Sequence, residues 1–254
     1  MRTVHDLRRR WLDEVRHVVT RPGMYAGSGR EMGTAAGTLL QNLCFLDERD
    51  QEWEDVREDL SRYGKLGVYG PFAALFGDEN RCVDEVASVY AERFHRLGYL
   101  AVDRTLDARE WRELIGGVRD RFDGRDVRPG EVEEAYGTPS LVVGKRVLCY
   151  ASADSAGWVF FDCFSETPSA YVPGEGRYAS TVGDDPLVRD VRVPADDFES
   201  GLVLTLYGKV LRWGPGWWIH HPPADASPET RAIAAQLRGV EAADPSRSLR
   251  TRPS

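Results

Sequence analysis

The spacing of apolar residues changes once along this chain, and that change limits the architecture more than any other feature. Up to about residue 122 they recur every three or four positions; from Ser140 onward the recurrence falls towards two. A period near 3.6 gives a helix one apolar face, and a period of two does the same for a strand. In "HDLRRRWLDEVRHVV", Leu7, Trp11, Val15 and Val18 share one helical face. Thr20-Arg21-Pro22-Gly23 ends that helix, because proline cannot continue it. A second helix is expected after Gly33, capped by Thr34 and carrying Leu39, Leu40, Leu43 and Leu46. "QEWEDVREDLSRY" predicts a third, followed by a glycine-rich turn. "NRCVDEVASVYAERFHRLG" predicts the clearest one, closing at Gly98. "LDAREWRELIGGVRDRF" adds another, opening on Asp107 and Glu110 at capping-box spacing.

The switch falls at "DGRDVRPG", residues 123–130, and a short helix at "GEVEEAYG" follows. "SLVV" and "RVLCYA" then read as two strands joined by Gly144-Lys145. "WVFFDCFS", "LVRDVRVP", "GLVLTLYG", "VLRW" and "WWIHH" read as further strands, broken by glycine and proline. Ser227-Pro228-Glu229 opens a last helix, with serine as cap and proline in the first turn. The expected class is α+β. A helical region covers 1–125, a mostly antiparallel sheet region with a C-terminal helix covers 126–241, and a polar, disordered tail covers 242–254.

Composition narrows the function. No apolar run approaches the ~20 residues a membrane-spanning helix needs. The first 19 residues hold no apolar core of a secretory signal, so a cytoplasmic protein is expected. Cys44, Cys82, Cys149 and Cys163 lack paired metal-ligand spacing and read as buried thiols. The net charge of −8 argues against general nucleic-acid binding. Residues 1–30 hold seven arginines against three acids, which reads as a solvated helix face. Arginine outnumbers lysine 30 to 3, a bias expected of a bacterium with a GC-rich genome.

"RPGMYAGSGREMGT" is the stretch that most resembles a ligand site. Gly27, Ser28, Gly29, Arg30 and Thr34 supply some parts of an anion cradle at a helix start. The rest is missing: no strand precedes the glycines, no Gly-Lys-Ser/Thr follows, and the spacing is one off from a dinucleotide fingerprint. The favoured reading is a bend, with Pro22-Gly23 turning the chain and Met24 and Tyr25 plugging the core.

"LDEVRHVVTRPGMYAGS", about 18 residues, resembles the opening of the ATPase domain of type II topoisomerase B subunits. That resemblance implies a catalytic Glu and a metal-binding Asn on the next helix. Here Leu40 and Cys44 stand near those positions, and Asn42 is out of step. Asp123-Gly124-Arg125-Asp126 lacks the last glycine of the family's later adenine-binding motif, so no ATPase activity is expected. Residues 21–100 also resemble a group of small bacterial helical proteins with the same Arg-Pro-Gly-Met-Tyr segment, through "RPGMYAGS", "TLLQNLCFL" and "DEVASVYAERFHRLGYL". That resemblance implies a structural bend and carries no activity.

Two further sets remain. "RWGPGWWIHHPP" concentrates Trp213, Trp217, Trp218, His220 and His221, and Tyr171 and Tyr178 lie in an expected loop over 165–185. Aromatic residues dominate protein-binding hot spots. With Asp184, Asp185, Asp196, Asp197 and Glu199 nearby, an acidic face suited to a basic protein partner is expected. On a strand, His220 and His221 would face opposite ways, so no metal site is expected. Asp162, Cys163 and His220 form an alternative, a hydrolase or transferase set, if they converge in one cleft. The favoured function is a non-catalytic interaction protein of the immunity or regulatory kind, without cofactor. Nucleotide or anion binding at Gly27–Thr34 is the third reading.

Overall fold

The computed structural model describes residues 3–77, 81–154, 156–164, 169–172, 177–180 and 186–243. The chain adopts the expected α+β class. Its helices are α1 (Val4–Thr20), α2 (Gly29–Leu46), α3 (Asp50–Ser61), α4 (Tyr69–Phe76), α5 (Val83–Arg96), α6 (Ala108–Phe122), α7 (Pro129–Tyr136), α8 (Leu206–His220) and α9 (Pro228–Ala243). Five strands pair in the order β1 (Leu141–Val143), β2 (Val147–Ala151), β3 (Trp158–Phe164), β6 (Leu187–Arg192), β7 (Leu202–Leu204), and β4 (Ser169–Val172) pairs with β5 (Arg177–Ser180). By its internal contacts the chain forms two units. Unit 1 holds residues 1–113, 138–160 and 192–201; unit 2 holds 114–137, 161–191 and 202–254.

In unit 1 the glycines of the opening stretch decide how helices meet. α2 starts at Gly29, not after Gly33, because Ser28 adopts an extended conformation and its hydroxyl accepts the Glu31 N–H. Thr34 is inside the helix, its hydroxyl donating to the Arg30 carbonyl. Gly29, Gly33 and Gly37 then recur at one-turn spacing on the face that meets α5. A Cβ on Gly29 would stand 2.6 Å from the Tyr69 ring and 2.8 Å from the Cys82 carbonyl oxygen; one on Gly37 would stand 3.4 Å from the Tyr90 hydroxyl. Small residues here let the two backbones approach. Around this contact Met32, Leu40, Leu43, Val86, Ala87 and Phe94 are fully buried.

Other expectations for unit 1 need correction. Pro22–Met24 forms a single 3-10 turn that buries Pro22 and leaves Met24 76% and Tyr25 39% exposed, so neither plugs the core. Leu7 is likewise exposed. α4, expected as a turn, is a helix that buries Tyr69, Phe72, Leu75 and Phe76. The β1–β2 connection is Gly144-Lys145-Arg146, since Val143 pairs with Val147; Gly144 and Lys145 both take positive φ. The Asp107–Glu110 capping box forms as expected.

Unit 2 corrects the reading of its aromatic segment. "VLRW" and "WWIHH" are parts of α8. Thr205, just past β7, accepts the Gly208 N–H and starts the helix. Leu206, Tyr207, Val210, Leu211 and Trp218 follow helical spacing and are buried with Ile233 and Ala234 of α9. Gly214, at φ +74° and ψ −169°, kinks α8 just before Pro215. The expected 165–185 loop contains β4 and β5, with Tyr171 opposite Tyr178; Asp184 and Asp185 lie outside the described residues. Ser227 caps α9 as expected. Residues 244–254 of the expected tail lie outside the described residues, and Ala242 and Ala243 belong to α9.

Candidate functional site

A polar cleft of about 240 Å³ opens in unit 1 between α3, α5, the start of β3 and the segment after β6. Four guanidinium groups line it, from Arg62 at the end of α3, Arg93 and Arg96 in α5, and Arg192 at the end of β6. Tyr63, Trp158, Phe160 and Phe198 supply its apolar wall. Phe198 is fixed by an edge contact with Phe72, ring centres 5.0 Å apart. Arg192 stacks over Phe72 and Phe160, at 4.9 and 4.6 Å, and donates to the Ser88 hydroxyl.

Asp59 is shared among three of these arginines, at 2.6 Å from Arg93, 3.5 Å from Arg62 and 3.9 Å from Arg96. Arg93 is almost fully buried and also meets Glu92 at 3.2 Å, yet its Nε has no acceptor among the described residues. Burial pushes the Glu92 carboxyl above the usual range, and Asp59 pushes the same way, against the pull of Arg93, Arg96 and Arg62. Asp197, the remaining acid on the wall, is exposed and accepts the Ser200 N–H.

Unit 2 carries a different feature. Trp213, Trp217 and His221 stand four residues apart in sequence; Trp213 precedes the Gly214 kink of α8, Trp217 follows it, and His221 is the residue just past the helix. The two indoles lie 5.6 Å apart, and the Trp217 and His221 rings stack at 5.3 Å with 14° between planes. Both indoles are partly exposed, and His221 is exposed. Trp218 is turned inward and buried with α9. The sequence reading missed this ladder because it placed the segment on strands, where four-residue spacing has no special meaning. The signal was present in the 213–217–221 interval. His220 ends α8, and the side chains of His220, Tyr171 and Tyr178 lie outside the described residues.

Two members of the alternative enzyme set, Asp162 and Cys163, face away from each other, and the side chain of His220 lies outside the described residues. Asp162 and Cys163 are successive residues of β3 and point to opposite faces of the sheet. Asp162 is fully buried and receives two nitrogens of Arg189, each at 2.8 Å. All four cysteines are buried, and burial pushes the thiols of Cys44 and Cys149 up, away from thiolate. Among the described residues no three His, Cys, Asp or Glu side chains cluster as a metal site would require.

At the opening stretch, the amides that would face an anion have partners within the chain. Glu31 accepts the Gly27 N–H at 2.7 Å, and the Arg81 carbonyl accepts that of Gly29 at 2.6 Å. Arg30 is exposed. Leu40 and Cys44, at the positions the topoisomerase resemblance assigns to catalysis and metal, are buried in the core.

No family model matches the chain, and no solved structure matches it. A curated protein that does match is the ESX-1 secretion-associated protein EspG1 of Mycobacterium tuberculosis, 36% identical over 84 residues. Those residues are 33% of this chain and 24% of that protein, so the chain spans about a quarter of the relative's length. No helix among the described residues is long and apolar enough to cross a membrane.

Proposed function

We propose that this chain is a non-catalytic interaction protein that docks a protein partner through the aromatic ladder of α8. The observation that carries this reading is the contiguous series Trp213–Trp217–His221, the first two rings tilted at 48° and the last two stacked, held partly open to solvent along and just past α8, which buries Trp218 and Leu211 against α9. Indoles packed against each other keep large apolar surfaces ordered, which lowers the ordering cost of binding and suits a hot spot. The net charge of −8, with Asp196, Asp197 and Glu199 exposed, favours a basic partner. Likeness to a secretion-associated protein agrees with a role among other proteins.

The test has two stages. Affinity capture from the native host identifies a candidate partner, and calorimetry with the purified partner then measures binding to Trp213→Ala and Trp217→Ala chains. Each substitution is expected to weaken binding by at least about tenfold, the range of a hot-spot residue. Unchanged affinity in both variants, with folding intact by circular dichroism, removes the ladder as the docking element.

A further inference from the structure

We propose that the arginine-walled cleft of unit 1 binds a carboxylate-bearing ligand with an apolar body, either a small free acid or the C-terminal residue of a peptide. The reading goes beyond partner docking by α8 and uses none of its residues.

The charge on the wall is the starting point. Arg62, Arg93, Arg96 and Arg192 face Asp59, Glu92 and Asp197, leaving one positive charge in excess, in a chain of net −8. The excess is two when Glu92 holds its proton, the state that its burial favours. Asp59 is shared by three guanidinium groups, of which Arg93 also meets Glu92. Arg93 lines the same cleft, and its buried Nε has no acceptor among the described residues, so this guanidinium is not fully answered by the chain. A guanidinium presents its donors as a planar fork that matches two carboxylate oxygens.

The apolar wall decides what else the ligand must carry. Trp158 and Phe198 border the same space as the arginines. An inorganic anion would meet the guanidinium groups and leave the part-exposed rings of Tyr63 and Phe198 uncovered, whereas an acid with a hydrocarbon or aromatic body covers them. A volume near 240 Å³ lies below the ~300–1,000 Å³ of sites for drug-sized molecules, so the fitting body is about one side chain in size.

Calorimetry on the full chain tests this with four probes: phenylpropionate, its neutral amide, an N-acetylated dipeptide ending in a free phenylalanine carboxylate, and inorganic phosphate. The acid or the dipeptide is expected to bind, with the amide at least about tenfold weaker, the loss of one charge-assisted hydrogen bond. Tighter binding of the acid assigns the site to free acids; tighter binding of the dipeptide assigns it to peptide termini. Arg62→Gln and Arg96→Gln, whose side chains are 40% and 45% exposed, are each expected to weaken binding about tenfold without moving the ligand-free Tm. Three results overturn the proposal: acid and amide binding alike, no binding of acid or dipeptide at about 10 mM, or phosphate matching the acid. Full affinity in both arginine variants, with folding intact, also overturns it.

Discussion

Glu92 and Arg93 are neighbours on α5 whose surroundings treat them differently. Arg93 is held by Asp59 and Glu92, so its charge is answered where it is buried. Glu92 loses hydration first and gains its arginine neighbours second, so its carboxyl is raised above the ordinary 4.5. A group whose folded pKa is raised adds stability that is fully present below the unfolded value and is lost as pH rises through the folded value. Glu92→Gln, which keeps the shape of the protonated form, is therefore expected to melt higher than the parent at pH 7. The gap should close below about pH 4.5. Melting curves at a series of pH values check this, and a variant less stable at pH 7 would show that the Arg93 pairing outweighs the burial. In unit 2, Arg189 and Asp162 reach full burial because each answers the other's charge, with the Arg189 guanidinium 4.5 Å from the centre of the Phe164 ring. Apart from the Asp59–Arg62 pair, three residues apart, these pairings could not be read from the chain, because the partners are 27 to 37 residues apart.

The helices divide by how local their signals are. α1, α6 and α9 carry their side-chain caps within a few residues, α5 carries a clear apolar stripe closed by Gly98, and the sequence shows all four at nearly their observed positions. α2 and α8 do not. Glycine lowers helix propensity, so Gly29 and Gly33 read as loop; the α2–α5 contact reverses that preference by rewarding the absence of a Cβ. Gly29→Ala is accordingly expected to cost about 1–3 kcal/mol by overpacking against Tyr69 and the Cys82 carbonyl. Gly116→Ala, in the exposed middle of α6 with nothing within 4 Å of the new Cβ, is expected to stabilise by about 0.5–1 kcal/mol. Urea unfolding of both variants measures the two signs; equal effects would mean that glycine acts here only through propensity. In α8, tryptophan and isoleucine between glycines and a proline look like broken strands. The Thr205 cap and burial against α9 decide for helix.

Across the chain, 41 acids against 33 bases set the net charge of −8 and a pI near 5.3. Self-repulsion at neutral pH is expected to keep the protein dispersed, with a solubility minimum near pH 5.3. Light scattering across pH 4 to 8 checks it; flat scattering throughout would show that local patches govern association. The sequence by itself determined the α+β class, most helix limits, the burial of the cysteines and this charge, because each follows from neighbouring residues or from totals. Only the tertiary structure decided what the notable residues are for. Arg62, Arg93, Arg96 and Arg192 meet in one cleft though they span 130 positions, counting from 62 to 192. Trp213 and Trp217 face partly outward while Trp218 turns in, because α8 is a helix. Local periodicity records which face of an element is apolar; where that face comes to rest depends on contacts between residues far apart in the chain.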